Sequence, residues 1–179
     1  YVGLPTPKLT IECQDSLGNP LRLFTKRDIR LLGGDGVFSQ FVSPWIDILT
    51  IQIPAGETTA DFYFKTTEGG EVQITARELS GEPGWTDGTL IVTVLPAKAV
   101  GFSIETLSSY NIGDAVSINV KATDEYGNLY EGYEGVAALS AETTSNFVPS
   151  LLEFGPADQG SKEVNWVNPN YAGAGRVYA

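Results

Sequence analysis

The stretch Thr10-Ile11-Glu12-Cys13-Gln14-Asp15-Ser16-Leu17-Gly18-Asn19 returns in the second half of the chain as Asn119-Val120-Lys121-Ala122-Thr123-Asp124-Glu125-Tyr126-Gly127-Asn128. In both, apolar and polar residues alternate with the period of a β-strand and then run into Asp-x-x-Gly-Asn, a turn signal. The aspartate side chain is expected to cap the turn, while the glycine and the asparagine after it tolerate the positive φ of a tight corner. A strand and corner written twice imply one β module duplicated. Stacked β modules usually serve length, stiffness and display rather than chemistry.

Moving outward from the two corners, the correspondence keeps its order while the spacing drifts with loop length. Ile29 and Leu31 pair with Val136 and Ala138, Pro54-Ala55 with Pro156-Ala157, and Gly70 and Val72 with Gly175 and Val177. The alternation predicts strands at 8–14, 27–32, 48–53, 60–65, 71–78 and 89–95 in the first copy. In the second it predicts strands at 100–107, 115–123, 136–141, 151–154, 162–167 and 175–179. Helical periodicity is absent over any useful length. The 20 glycines and 10 prolines fall mostly between the strands, as in an all-β sandwich. The expected architecture is two tandem sandwiches, residues 1–97 and 98–179. The first has no counterpart of the opening strand 100–107, and the second none of the closing strand 89–95. Only Pro96-Ala97-Lys98-Ala99 joins them, a link of ~13–14 Å at full extension, so restricted bending is expected.

Composition narrows the function classes. The 179 residues suffice for two domains of ~90–100 residues, near the lower size for an independent core. Methionine is absent, even at position 1, so the chain is expected to be part of something longer. Net charge is −11, with 7 basic and 12 acidic residues before Lys98 and 4 and 10 from there on. Such a surface repels phosphate backbones, so no nucleic-acid partner is expected. The cluster Arg22, Lys26, Arg27 and Arg30 reads as a solvated loop and strand face. No apolar run approaches the ~18 residues of a membrane span. Cys13, the single cysteine, shares a face with Leu9 and Ile11 and reads as a small core residue.

Catalytic machinery is thin. Histidine, the usual proton shuttle near neutral pH, is missing, and no Gly-x-Ser-x-Gly, Walker or dinucleotide glycine pattern occurs. No enzyme activity and no cofactor are expected. Calcium is the one ion the oxygen-rich turns suggest: Asp124 and Glu125 with Asn128, or Asp87 facing Asp114 across the domain junction, supply hard ligands. Against this, no Asp-x-Asp-x-Asp loop is present, and turn capping explains the same residues. Trp85, in Gly81-Glu82-Pro83-Gly84-Trp85-Thr86-Asp87, and Trp45, after Pro44, stand in irregular stretches where a ring could stack on a sugar or pack on its own loop.

The stretch Ile112-Gly113-Asp114-Ala115-Val116-Ser117-Ile118-Asn119 with the Asp124–Asn128 corner, then Gly132-Tyr133-Glu134-Gly135, resembles bacterial immunoglobulin-like repeats. These are the tandem repeats of invasin/intimin-type adhesins, S-layer proteins and large secreted proteins. Phe154-Gly155-Pro156-Ala157-Asp158-Gln159-Gly160 and Ile53-Pro54-Ala55-Gly56 resemble later turns of the same pattern. The resemblance implies immunoglobulin-like sandwiches on an extracellular bacterial surface, acting as structural spacers or assembly units. Partners would be neighbouring repeats, other copies of the protein, or a carbohydrate or surface receptor. Its alternatives are a carbohydrate-binding or adhesive module, and a filament subunit completed by strand exchange. The first copy departs from the pattern by lacking Gly-Tyr-x-Gly and by a longer segment at 33–47 with Phe38, Phe41 and Trp45, where a specific contact is expected.

Overall fold

The computed structural model describes residues 1–106, 111, 115–141, 146–148, 150–167 and 177–179, with backbone alone for parts of the second half. The chain is all-β, its sole helical element among these residues being a 3-10 turn at Pro156–Asp158. It divides into two compact units, Tyr1–Leu95 and Pro96–Ala179.

In the first unit the strands are β1 (Leu9–Glu12), β2 (Arg27–Leu32), β3 (Val37–Ser39), β4 (Thr50–Ile53), β5 (Thr59–Lys65), β6 (Gly70–Glu78) and β7 (Gly88–Val94). They form two antiparallel sheets, β1-β5-β3 and β4-β2-β6-β7. Alternation drives each strand to bury one face. Ile29, Leu31, Ile51, Ile53, Ile74 and Val94 turn inward from one sheet, and Phe38, Phe62 and Phe64 from the other. Cys13, just past β1, is buried with them, as its place in the alternation requires.

The long segment at 33–47 contains a strand the alternation did not reveal. Phe38 on β3 is a core residue whose ring lies 5.1 Å from that of Phe64 and 5.9 Å from that of Phe62. The glycines before it make room for these rings: a Cβ on Gly36 would stand 2.1 Å from Phe64 Cε2.

The second unit contains β8 (Gly101–Glu105), β9 (Ala115–Thr123), β10 (Gly135–Ala138), β11 (Ser140–Ala141), β12 (Asn146–Val148), β13 (Leu151–Phe154), β14 (Ser161–Val167) and β15 (Val177–Tyr178). Its principal sheet has the order β12-β14-β9-β8, and β10 pairs with β13 and β11 with β15, all antiparallel. The strand expected over 136–141 is interrupted at Leu139, whose N–H donates instead to Ser150 O. Val116, Ile118, Val120, Ala137, Leu139, Leu152, Phe154 and Val164 make the core, with Phe102, Ile104 and Tyr133 packed against it.

Candidate functional site

The duplicated corner is a closely bonded polar constellation present in both units. In the first unit Asp15 Oδ1 accepts the N–H groups of Leu17 and Asn19, both at 2.9 Å, and the Asn19 side-chain amide donates to Oδ1 and Oδ2 at 3.3 and 3.1 Å. In the second, Asp124 Oδ1 accepts from Tyr126 and Asn128 N–H, again at 2.9 Å. The Asn128 amide reaches Oδ1 and Oδ2 at 3.2 and 3.1 Å. Gly18 and Gly127 carry the positive φ, +83° and +88°. The asparagines, although able to tolerate it, do not adopt it. Their task is to bind the aspartate through the side chain.

One difference separates the copies. Asp124 Oδ2 also accepts the backbone N–H of Ala97 at 3.0 Å, and Asp124 is 4 % exposed, whereas Asp15 is exposed. Burial works to raise the Asp124 carboxyl, but hydrogen bonds from Asn128, Ala97 and Tyr126 outweigh it and hold the group below the usual carboxylate range. Asp15 is lowered too, first by the backbone and side chain of Asn19.

Of the residues considered for calcium, Asp124 and Asn128 thus meet, each bonded to the other, and Glu125 follows them exposed on the same corner. Asp87 is engaged by Arg77, whose Nε and Nη2 donate to it at 3.0 and 2.6 Å, and that bonding lowers its carboxyl. Asp114 lies outside the described residues. Among the described residues no three His, Cys, Asp or Glu side chains gather where an ion could be held.

Trp45 and Trp85 are each half-buried and carry a cation over the ring. Lys65 Nζ stands 4.2 Å from the Trp45 ring centroid, and Trp45 Nε1 donates to Asp47 at 2.6 Å. The Trp45 loop is pinned from below by the buried Ser39 hydroxyl, which accepts from Phe41 and Ile46 N–H at 3.1 and 3.2 Å. Arg27 Cζ lies 5.4 Å from the Trp85 centroid.

Arg27 corrects the reading of the basic cluster as solvated. Its side chain is 15 % exposed, ion-paired with Glu78 at 3.5 Å and Glu82 at 2.6 Å, and donates to Ser80 Oγ at 3.2 Å. Glu78, 4 % exposed, accepts from the Ser80 N–H and hydroxyl. Arg22 Nε donates to Gly56 O at 2.6 Å, which ties its loop to the turn after β4.

The strand order creates one feature the sequence did not show. On the outer side of β14-β9-β8, Glu105, Thr106, Ser117, Asn119, Ser161 and Glu163 line an open cleft of about 580 Å³, with Ile118 at its floor. Ser161 Oγ donates to Asn119 Oδ1 at 3.0 Å and the Ser117 hydroxyl to Glu163, while Lys121, beside the cleft, reaches Glu105 at 2.6 Å. Alternation marks Ser117, Asn119 and Lys121 as outward-facing, but only the pairing of β8 and β14 with β9 places the two glutamates beside them.

No protein-family model and no curated protein matches this chain. Among solved structures it is similar to a glycosyl hydrolase family 2 member from Bacteroides cellulosilyticus, at 11% identity and a TM-score of 0.42. That similarity covers 98% of this chain and 27% of the hydrolase, so the chain spans about a quarter of that protein. It is similar to invasin, a bacterial integrin-binding protein, at 16% identity and TM-score 0.35, covering 98% of this chain and 34% of invasin. It is also similar to domains 5-6 of the S-layer protein SbsC, at 14% identity and TM-score 0.33, covering 99% and 84%.

Proposed function

We propose that the chain is a non-catalytic pair of immunoglobulin-like modules of a bacterial cell-surface or S-layer-type protein, extracellular, holding neighbouring domains at fixed spacing and taking part in surface assembly. The observation that carries this reading is the duplicated corner. The aspartate carboxylate, the asparagine amide and the backbone N–H groups are bonded to one another in both copies, which supports reading the residues most distinctive in the sequence as ones that shape the chain. The absence of histidine from the whole sequence points the same way. Partners in this reading are neighbouring repeats and other copies of the protein. No helix among the described residues is long and apolar enough to cross a membrane.

Backbone NMR relaxation tests the fixed spacing. Amides of both units are expected to report one rotational correlation time, and two independent times would overturn it. The reading contains no bound ion. A calcium-dependent rise in melting temperature that Glu125→Gln abolished would add one.

A carbohydrate-binding or receptor-binding module is the second reading, favoured by one observation. Trp45 is half-buried on a loop that also exposes Phe41, Val42 and Ile46. A titration with polysaccharides and with cell-surface extracts, repeated on Trp45→Ala, decides it: binding lost at unchanged melting temperature supports this reading, and binding absent from the parent chain removes it.

A further inference from the structure

Strand β1 and strand β9 occupy equivalent places, each running into the same corner. Counting back from Asp15 and Asp124 sets Leu9 with Ile118, Ile11 with Val120 and Cys13 with Ala122. Their surroundings differ. β9 is hydrogen-bonded on both sides, to β14 and to β8, whereas β1 pairs with β5 alone among the described residues.

Three consequences of that open edge are visible. Under β8, Ile118 and Val120 are 1 % and 0 % exposed, while Leu9 and Ile11 are only half-buried. The Tyr133 ring stands edge-on to Phe102 of β8, 5.3 Å between centroids; Phe24, as far beyond Asp15 as Tyr133 is beyond Asp124, is 98 % exposed. Finally, Asp124 receives the Ala97 N–H from the head of the segment leading into β8, while every hydrogen bond described for Asp15 comes from its own turn. The backbone polarity agrees. Cys13 N donates to Thr58 O on the β5 side, so alternation points the N–H and C=O groups of Thr10 and Glu12 to the open edge. Their counterparts Asn119 and Lys121 stand opposite Glu105 and Ser103.

We propose that the open edge of β1 is an acceptor for an extended peptide strand of the chemistry that residues 97–105 supply to the second unit. The strand runs antiparallel to β1 and makes ladder bonds to Thr10 and Glu12. It lays apolar side chains beside Ile11 and Cys13 at two alternate positions, as Ile104 and Phe102 stand opposite Val120 and Ala122 of β9, and offers a backbone N–H to Asp15. Main-chain bonds give such a complex its affinity, and the alternate apolar side chains give it selectivity. The proposal does not rest on the spacer reading, since a sugar-binding module would carry the same edge.

The test adds a synthetic peptide with the sequence of residues 97–105 to the full chain and follows amide hydrogen exchange. The Thr10 and Glu12 amides are expected to exchange about tenfold more slowly or less in its presence, with one peptide bound per chain. A peptide with serine at the positions of Phe102 and Ile104 is expected to leave them unprotected, and Glu12→Pro to abolish binding. Because the serine peptide is tested on the unaltered chain, the result does not depend on whether Glu12→Pro folds. No protection by the first peptide, or equal protection by the second, would overturn the proposal. So would a chain that sediments as a dimer with these amides already protected, the edge then being filled by a second copy.

Discussion

The Ala97 N–H donates to Asp124 Oδ2 across 3.0 Å, completing a carboxylate whose other described hydrogen bonds come from its own corner. The bond makes Asp124 the point where the segment entering the second unit is fastened to the fold, and stability should reflect it.

In the folded chain the Asp124 carboxyl lies below its ordinary value of 3.8. A lowered folded-state pKa gives stability that is present above the unfolded value and lost as pH falls through the folded one. Asp124→Asn keeps the shape but cannot accept all of these bonds, and at neutral pH is expected to cost about 1–3 kcal/mol through unsatisfied buried groups. The gap between parent and variant should close in urea titrations as pH falls through the ordinary carboxylate value and then through the lowered one of the folded chain. A gap independent of pH would contradict the assignment.

The glycines at 36 and 127 are required for different reasons, and substitution should separate them. Gly127→Ala meets no neighbour and suffers only from φ +88°, a cost of about 1–2 kcal/mol. Gly36→Ala drives a methyl group into the buried Phe64 ring, an overpacking cost of about 1–3 kcal/mol. Adding Phe64→Leu should make the Gly36→Ala double variant less unstable than the two single losses combined, whereas Gly127→Ala with Phe64→Leu should be additive. Additivity in both pairs would mean that the Gly36 contact is not the cause.

Arg27 and Glu78 form an ion pair largely withdrawn from water, and removing one partner strands the other. Arg27→Met is expected to lower the melting temperature of the first unit clearly. The double variant Arg27→Met, Glu78→Leu should recover most of the loss. Thermal melts read this directly, and Trp85 fluorescence should change with Arg27→Met because the guanidinium leaves its ring. A double variant no better than the single would contradict the account.

Burial pushes the Cys13 thiol up, and Glu12 and Glu78 add to that against the opposing pull of Arg27. The thiol should therefore react with an aromatic disulfide reagent only when the first unit opens. Labelling at neutral pH is expected to be slow and to accelerate sharply through the urea transition, and fast labelling of the native chain would show that Cys13 is reachable. Bound peptide strand at β1 should slow it further.

The corners and most of the strands were legible because both signals are local: period-two alternation, and an aspartate within bonding reach of the next few backbone amides. β3 was not, since three residues behind a glycine-rich run are too short to show a period, and Phe38 is inward because of rings on β5. Arg27 was misread for a related reason. Its partners Glu78 and Glu82 are remote in sequence, so a basic cluster looked solvated. The cleft around Glu105 and Glu163 depends wholly on which strands flank β9. As for the asparagine of the corner, its amide and its backbone offer two explanations of one preference, and the folded geometry selects the amide.

The hydrogen bonds that bend each Asp-to-Asn corner lie within five consecutive residues, the Ala97 bond to Asp124 being an addition to them, so the bend itself asks nothing of the sheets on either side. A joint of that kind is portable. Flanking strands can be lengthened, loops refilled and a neighbour gained or lost while the bend stays the same, and the two halves of this polypeptide have diverged along those lines around an unaltered hinge-point.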